Sequence, residues 1–457
     1  STNAGVSLPN AWSVSTGAGT IVAVLDTGYR PHTDLNANVL GSYGYDFINF
    51  SMHAADNDLR DNNAQDPGDA VVANQCGSGS PARSSSWHGT HVAGTIAAVT
   101  NNSKGVAGVA YGTKVLPVRV LGTCGGRVSD IADAIRWAAG GAVTNVPANS
   151  KVADVINLSL GGFQPVVDDG GDHYVFPHET TAPGELQDGV CPTEIKDAVS
   201  FARSRGVAVV GSAGNWNADA SDYWPANCYG VIAVAGADRD GKRWTESGSL
   251  GSNHGSYVDI TGPTGNRTTL SNGVLSTSNS GATTPVGDNY EYLVGTSMAA
   301  PHVSGVAALM LSINPGLTPD QVEAKLESTA NNLPNCAGCG DGLVNAKGAV
   351  ASADTVSIHT EYSGCVGYGS KYLLWSTNAS GANVIEWDVD KQTYGSSTWS
   401  NYYAGSTSTL WPVIYEKTRF RVRGRTVAGW SPYRTTSWLT APCAGGGGGG
   451  GGGLDPY

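Results

Sequence analysis

The sequence has no uninterrupted run of about 18 apolar residues, and it has few basic side chains. Without such a run we expect no membrane-spanning helix, because a span needs about 20 predominantly apolar residues. The 26 Lys and Arg residues are outnumbered by 38 Asp and Glu residues, which gives a net charge of −12. That balance argues against nucleic acid or an anionic membrane as the main partner, since both attract basic proteins. We therefore expect a soluble monomer that binds neither.

The chain begins at Ser1, with no Met and no signal-like apolar segment after it. Its cysteines have no His cluster at zinc spacing beside them, and this pattern predicts disulfides of an exported protein. The eight cysteines are Cys76, Cys124, Cys191, Cys228, Cys336, Cys339, Cys365 and Cys443. Buried free thiols in a cytosolic enzyme, or a redox role for the Cys336–Cys339 pair, are the weaker alternatives. With disulfides expected, this start predicts a secreted, processed form whose leader has been removed.

The chain is too long for most single domains, so two domains are expected from its 457 residues. Up to about residue 350, short β-branched apolar runs alternate with helical stretches. This alternation predicts an α/β domain over residues 1–351, with a mostly parallel, twisted sheet between layers of helices.

The composition changes after about residue 352, where helical periodicity ends and short strand-like runs begin. These runs predict a small all-β sandwich over residues 355–443, which weakly resembles a fibronectin type III-like domain. We expect Cys365 and Cys443 to join its two ends. Its many tryptophans either bind an insoluble polymer, such as a matrix protein, or only fill the core. Residues 444–457 contain a glycine run and are predicted to be a flexible tail or linker.

Three short motifs each contain a side chain that serine chemistry needs. Asp26 ends the apolar strand of VLDTG, His88 begins HGTHVAG, and Ser297 lies at the start of the apolar helix of GTSMAAPH. A serine hydroxyl is a poor nucleophile until an imidazole takes its proton and an acid orients that imidazole. The order Asp, His, Ser is one of three known convergent orders. Singly, each residue has a plainer explanation as a strand-end or helix-capping group, and His91 is a second candidate within its motif.

Asn215 follows another apolar run and the small residues GSAG. Its amide can donate one hydrogen bond to an oxyanion, and the backbone N–H of Ser297 at a helix start can donate a second. A serine esterase is a less suitable interpretation, because its G-x-S-x-G elbow needs a glycine where Ala299 stands. A catalytically inactive binding protein is the other alternative, but all four catalytic positions are filled.

Taken together, the strings HGTHVAGT and GTSMAAPH resemble the subtilisin-like serine proteases, or subtilases, over about residues 10–350. The closest resemblance is to extracellular subtilases of Gram-negative bacteria. It implies a subtilisin-like three-layer fold and a secreted serine endopeptidase that acts on proteins or peptides. It also implies that Asp26 orients His88, that His88 is the general base and acid, that Ser297 is the nucleophile, and that Asn215 donates to the oxyanion.

The same resemblance implies a substrate cleft and three disulfides. Its strand near residues 121–126 would pair with the substrate backbone, and residues 159–161 would form one wall of the S1 pocket. The implied substrate-binding residues are Leu121, Gly122, Gly125, Ser159, Leu160, Gly161, Ala213 and Gly214. The implied disulfides are Cys76–Cys124, Cys191–Cys228 and Cys336–Cys339.

Structural calcium is the cofactor that the resemblance implies, and hard cations take oxygen ligands. The ligands of the first site would be the Asp34 and Asn102 side chains and the carbonyls of Thr100, Lys104 and Val106, although the family's N-terminal Gln ligand is missing. The second, thermitase-like site would involve Asp46, Asp56, Asp58, Arg60 and Asp61, with Asp66 and Asp69 as further candidates. The alternative for this second segment is a solvated acidic loop.

Overall fold

The protein divides into two compact units, Ser1–Ala353 and Asp354–Tyr457. The computed structural model describes residues 5–162, 166–167, 173–175, 191–246 and 248–353 of the first unit. In the second unit it describes residues 356–357, 361–366, 369–373, 376–377, 386–394, 396–405, 413–414, 418–426, 429–430, 434–435 and 439.

The first unit is built on a seven-stranded sheet in the order β10-β9-β8-β5-β1-β3-β2, in which every neighbouring pair is parallel. Its strands are β1 (Ile21–Asp26), β2 (Tyr45–Asp46), β3 (Lys114–Arg119), β5 (Val155–Leu158), β8 (Ala208–Ser212), β9 (Val231–Ala237) and β10 (Ile260–Pro263). The prediction of an α/β fold with a mostly parallel sheet is confirmed.

Two smaller sheets lie outside this path. Their strands are β4 (Gly126–Arg127), β6 (Val166–Val167) and β7 (His173–Val175) in one, and β11 (Val274–Asn279) and β12 (Asp288–Leu293) in the other. The helices of the unit are α1 (Leu8–Trp12), α2 (Ser51–Ala54), α3 (His88–Ala97), α4 (Val128–Ala138), α5 (Thr193–Ser204), α6 (Thr296–Ile313), α7 (Pro319–Ser328) and α8 (Ala346–Ala353).

The sheet is buried on both faces, as the apolar strand sequences predict. Along β1, Val22 and Val24 belong to a core cluster that also contains residues of α3 and α6. The alternate residues Ala23 and Leu25 belong to a second cluster, which contains residues of α4 and α5. Because neighbouring side chains of a strand point to opposite faces, one strand anchors both helical layers.

The expectation that nothing spans a membrane stays a prediction, although α6 is long and apolar enough to do so by length and composition. Among the described residues, this helix alone reaches the required length and mean hydropathy, at 18 residues and 1.3. However, 78% of it is buried inside the first unit. The helix reaches this length and hydropathy because the central helix of a large core needs nearly continuous apolar residues. Length and composition alone are therefore weak evidence for a membrane span.

Three disulfides join the cysteines of the first unit in the implied pairs, with S–S distances of 2.08 Å for Cys76–Cys124, 1.95 Å for Cys191–Cys228 and 1.97 Å for Cys336–Cys339. The first of these joins residues 46–82, which we call the acidic segment, to the residues that follow β3. Cys443, and with it the expected bond to Cys365, lies outside the described residues.

The second unit contains short antiparallel strands, as the sequence predicts for this region. They are β13 (Val356–Ser357), β14 (Glu361–Val366), β15 (Gly369–Leu373), β16 (Ser376–Thr377), β17 (Glu386–Thr393), β18 (Ser400–Gly405), β19 (Val413–Ile414), β20 (Thr418–Thr426), β21 (Gly429–Trp430) and β22 (Arg434–Thr435). Val389, Phe420 and Val422 are buried in it. The likeness to fibronectin type III remains a prediction, and residues 444–457 lie outside the described residues.

Candidate active site

Asp26 and His88 meet where β1 ends and α3 begins. The Nδ1 atom of His88 lies 2.8 Å from Oδ1 and 3.0 Å from Oδ2 of Asp26, which is fully buried. The backbone N–H of Thr27 also donates to Oδ1, at 2.8 Å. Burial lowers the pKa of His88, but the negative charge of Asp26 and its hydrogen bond raise that pKa above its ordinary value. The pair is therefore suited to hold a protonated imidazole.

Gly89 explains why the helix can start so close to the strand end. A Cβ atom at this position would lie only 2.1 Å from the carbonyl oxygen of Gly28, so a larger residue would push α3 away from β1. The small residue next to His88 thus allows the imidazole to reach Asp26.

Ser297 is the second residue of α6 and faces the end of β5. Its hydroxyl donates to the carbonyl of Ser159 at 3.2 Å, and the Ser159 hydroxyl donates back to the Ser297 carbonyl at 2.8 Å. A nucleophile at this place needs its hydroxyl turned from that carbonyl to the imidazole, and catalytic hydrogen bonds in free enzymes are often long or poorly aligned. The first N–H groups of a helix have no partner within it, so the Ser297 N–H can bind an oxyanion.

Asn215 lies beside the start of the same helix. Its Oδ1 accepts hydrogen bonds from the Thr296 N–H at 2.8 Å and from the Thr296 hydroxyl at 3.0 Å. Because Oδ1 accepts both of these hydrogen bonds, the orientation of the Asn215 amide is determined, and its nitrogen lies on the opposite side. The sequence did not indicate Thr296 as the residue that orients Asn215.

The remaining candidate substrate-binding residues surround this point. Leu160 accepts a hydrogen bond from the Ser212 hydroxyl at 3.3 Å, and the Gly214 N–H donates to the Thr296 hydroxyl at 3.1 Å. The Ala213 N–H donates to the carbonyl of Val234. Gly161 ends the same wall as Ser159 and Leu160, and a Cβ on it would meet the Trp224 carbonyl at 2.2 Å.

The strand expected near residues 121–126 differs from the prediction. The N–H of Gly122 donates to the carbonyl of Gly125 at 2.8 Å, so these residues form a tight turn and not an extended edge. The strand begins only at Gly126, and it pairs antiparallel with β7. The Leu121 N–H donates a hydrogen bond to the Asp26 carbonyl at 3.2 Å. Because β7 lies about 50 residues further along the chain, the local sequence could not reveal this neighbour.

His91, the second candidate within its motif, does not contact Asp26. Its Nε2 atom lies 3.0 Å from the carbonyls of both Val274 and Glu291, which belong to β11 and β12. Burial lowers the pKa of His91 to about 3, so it is a neutral donor near pH 7. It supports the β11–β12 hairpin and leaves the role of base to His88.

The first implied calcium site lies around Asp34, which is fully buried. Its carboxylate accepts hydrogen bonds from the Asn102 amide at 2.5 Å, the Val106 N–H at 3.0 Å and the Tyr290 hydroxyl at 3.2 Å. All three donors are neutral, and the hydroxyl of Thr100 on the same loop is buried without a hydrogen-bond partner. Lys104 also lies on this loop. A buried carboxylate with no cationic partner among the described residues suits a hard cation, and binding one would require the Asn102 amide to turn its oxygen, which accepts from the Lys104 N–H, towards Asp34.

The second implied site is only partly assembled. The buried guanidinium of Arg119 contacts Asp46, lies 2.6 Å from Asp56 Oδ2, and donates to the Ala54 carbonyl. The other oxygen of Asp46 accepts from the Ile48 N–H at 2.8 Å. Asp46 and Asp56 thus share the positive charge of an arginine from β3, and the place of Asp46 among the calcium ligands stays a prediction.

Asp56 and Asp58 remain from this set as the residues that fit a cation. Asp56 Oδ1 is buried without a hydrogen-bond partner. Burial raises the pKa of Asp56, and the carboxyl of Asp58 beside it raises it further. By contrast, the Arg60 side chain pairs with Asp130 and Asp133, and Asp61 accepts from the Asn63 N–H.

Asp66 and Asp69 contact hydroxyl groups beside the Asp26–His88 pair, and their assignment to calcium stays a prediction. Asp66 Oδ2 accepts from the Thr27 hydroxyl at 2.8 Å, and Asp69 accepts from the Ser86 hydroxyl at 2.7 Å. Both carboxylates thus face the Asp26–His88 pair, because the chain between Asp61 and Asp66 turns back towards the end of β1. A further acidic group that the sequence did not indicate is formed by Asp259, Glu323 and Glu327.

Known proteins share this arrangement of sequence and fold. The subtilase family profile matches residues 17–357. An extracellular protease of Xanthomonas campestris pv. campestris is 50% identical over 355 residues, which are 77% of this chain and 54% of that protein. An extracellular basic protease of Dichelobacter nodosus is 42% identical over 359 residues, which are 76% of this chain and 53% of that protein. The chain spans about half the length of these curated relatives.

A solved structure is similar as well. One of the proteases from Pseudoalteromonas arctica PAMC 21717 has 51% sequence identity and a TM-score of 0.69, and the match covers 77% of this chain and 94% of that one.

Proposed function

This chain belongs to the subtilase family, and from that premise we propose that it is a secreted serine endopeptidase whose nucleophile is Ser297. The observation that carries the proposal is the contact of His88 Nδ1 with the buried Asp26 carboxylate at 2.8 Å, with Ser297 at the start of α6. Relatives named as extracellular proteases and the disulfides support secretion.

The reaction proceeds through an acyl-enzyme. Asp26 keeps a proton on Nδ1 of His88, so Nε2 accepts the proton of Ser297 Oγ as Oγ bonds to the peptide carbonyl carbon. The resulting imidazolium returns that proton to the leaving amine when the C–N bond breaks. Water then gives its proton to His88 and attacks the ester, and Ser297 is regenerated as the carboxylic product leaves.

Negative charge develops on the carbonyl oxygen during both attacks. The Ser297 N–H at the start of α6 and the Asn215 amide bind this oxyanion. Thr296 acts indirectly, because its two donors hold the Asn215 amide in the required orientation.

The experiment that tests the proposal is hydrolysis of casein together with labelling by a serine-directed fluorophosphonate. We expect one label per molecule, located by mass spectrometry on the peptide that contains Ser297. Labelling of another serine, or no hydrolysis by folded protein supplied with calcium, would contradict it.

Asn215→Ala is expected to lower kcat by about 10²–10³ with little change in KM, because the oxyanion exists only in the transition state. Asn217→Ala is a matched control: its side chain accepts from Arg243 and lies outside the oxyanion site. Steady-state kinetics on a peptide anilide measure both. A fall in affinity at unchanged kcat would show that Asn215 binds substrate only.

Subtilases commonly bind calcium, and we infer two structural sites in this chain. The first is formed around Asp34 by Thr100, Asn102, Lys104 and Val106, and the second by Asp56 and Asp58. Calcium would neutralise the buried carboxylate of Asp34 and the more accessible carboxylates of Asp56 and Asp58, and it would stiffen the loops that contain them.

Removing calcium is expected to lower the melting temperature. Calcium at about 100 times the Kd of one site stabilises the folded protein by about 2.7 kcal/mol, which corresponds to roughly 4 °C for a unit that spans Ser1–Ala353. Calorimetry of a Ser297→Ala protein, which cannot digest itself, with and without EDTA measures the shift. In Asp58→Ala, EDTA should lower the melting temperature by less than in the Ser297→Ala protein. In Asp61→Asn, EDTA should lower it by the same amount as in that protein. Equal EDTA responses in the three proteins would exclude the second site.

The second unit is proposed to be a fibronectin type III-like module that brings the protease to insoluble matrix proteins. Support comes from its aromatic residues: Trp399 stacks with the guanidinium groups of Arg419 and Arg421, and Tyr394 is exposed. Amphipathic aromatic surfaces are common in protein recognition.

A further inference from the structure

A turn formed by Asp66-Pro67-Gly68-Asp69 lies behind the general base. We call it the acidic turn. Its two carboxylates are almost fully buried, with exposures of 1% for Asp66 and 6% for Asp69. Neither residue is needed by the triad chemistry described above, and burying a carboxylate without a role is costly.

Each carboxylate of the acidic turn is connected to the His88 region through one hydroxyl. The Thr27 hydroxyl donates to Asp66 at 2.8 Å and accepts from the Gly89 N–H at 3.1 Å. On the other side, the Ser86 hydroxyl donates to Asp69 at 2.7 Å and accepts from the His88 N–H at 3.3 Å. The turn therefore holds the backbone on both sides of the imidazole.

The hairpin loop between β11 and β12 keeps the acidic turn in place. Gly68 has a φ of +111°, and a Cβ there would lie 2.0 Å from the Thr283 carbonyl. The Ser85 hydroxyl donates to that same carbonyl at 2.7 Å, and the Trp87 indole donates to the Gly281 carbonyl at 2.8 Å. The carboxylates thus cannot turn away from His88 without breaking this packing.

Several charged groups face this region. They are Asp26 on β1, Asp66 and Asp69 on the acidic turn, His91 on α3, and Arg30, Arg83 and Arg119 near the two turn carboxylates. In the described part of the chain, the hydrogen bonds to the carboxylates of Asp66 and Asp69 come from neutral groups and no ion pair joins them. Arg30, Arg83 and Arg119 therefore offset the negative charge of these carboxylates only in part, and the charge still acts on His88.

The electrostatic consequence has a definite sign. After burial and Asp26, the charges of Asp69 and Asp66 are the next influences on the pKa of His88, and both raise it. Burial and the neighbouring Asp69 raise the pKa of Asp66 to about 7, so Asp66 is partly protonated near neutrality. Of the two carboxylates, Asp69 has the larger influence on the pKa of His88. A general base works only when deprotonated, so anions beside it move the acid limit of activity to higher pH.

We propose that Asp69 is a positioning residue for His88, acting through Ser86, and that its charge sets the lower pH limit of peptide hydrolysis. Asp66 plays the companion role for Thr27. This inference rests on the proposed function, because it assigns a property of the same general base.

The test compares the pH dependence of kcat/KM for a peptide anilide in full-length Asp69→Asn and Ser86→Ala proteins. Asp69→Asn should move the acid limb about half a pH unit lower, since it removes the charge. Ser86→Ala should leave the limb in place, because it keeps the charge, while lowering kcat/KM through a less well placed imidazole. A merely structural role for Asp69 would lower the rate in both variants and move neither limb.

Two further measurements keep the outcome unambiguous. If Asp69→Asn does not fold, Arg83→Gln tests the same charge from the opposite side and should move the limb to higher pH. An unmoved limb in an active variant would overturn this proposal alone. Loss of activity and of Ser297 labelling in the parent protein would instead overturn the proposed function.

Discussion

Ser297→Ala is expected to lower kcat on casein or a peptide anilide by about 10⁶, because serine proteases that lose their nucleophile keep only a small residual rate. The substitution removes one hydroxyl, whose described bond is a 3.2 Å contact with the Ser159 carbonyl. The fold should therefore persist, and the loss should lie in kcat. Fluorophosphonate labelling should disappear together with hydrolysis.

Ser312→Ala is the matched control for this substitution. Ser312 lies on the same helix, and its hydroxyl donates to the Ala18 carbonyl near the surface, 15 residues beyond the nucleophile. Its removal should leave both kcat and labelling unchanged. Activity that survived in purified Ser297→Ala protein would move the nucleophile to another residue.

Asp26→Asn is expected to lower kcat by about 10⁴ near neutral pH. The Asp26 carboxylate contacts His88 Nδ1 with both oxygens, and the Thr27 N–H also binds Oδ1. An amide in this place loses the charge that stabilises the imidazolium, and it favours the wrong tautomer whenever its nitrogen faces Nδ1. The measurements are kcat and the rate of fluorophosphonate labelling, which should fall together.

The pH dependence of the Asp26→Asn variant separates its possible causes. Because Asp26 raises the pKa of His88, the remaining activity should show an acid limb at lower pH than the parent protein. Asp34→Asn is a useful comparison, since that buried carboxylate lies on the loop of the first calcium site. It should affect stability and leave the acid limb where it is. An unchanged rate in Asp26→Asn would remove Asp26 from the mechanism.

The sequence predicts the sheet and the acid–base pair well, because both depend on local patterns. Apolar runs such as Val22–Leu25 are typical of strands that are buried on both faces of a parallel sheet. The carboxyl ends of such strands form one edge, so a carboxylate at the end of β1 is already near the cleft. The small residue after His88 completes the arrangement, since it lets α3 approach that edge.

The acidic segment could not be assigned from its sequence, because its carboxylates find partners that are distant in the chain. Asp46 and Asp69 look equivalent as hard ligands in a list of acidic residues. In the structure, Arg119 from β3 neutralises Asp46, while Ser86 binds Asp69 beside the imidazole. The choice between cation, guanidinium and hydroxyl depends on tertiary packing, which motif spacing does not encode.

The bond between Cys76 and Cys124 closes a covalent ring that contains His88 and all of α3 and β3. The proposed protease would be exposed to its own copies, and the exposed residues 77–79 of this ring offer them an accessible peptide bond. A single cut there opens the ring without releasing a fragment, because the Cys76–Cys124 bond keeps the N-terminal piece with Asp26 attached to the part that contains His88 and Ser297. Such nicked molecules would run at full size on a non-reducing gel and separate into two bands only after reduction. Nicked molecules can therefore accumulate through autolysis before the activity falls.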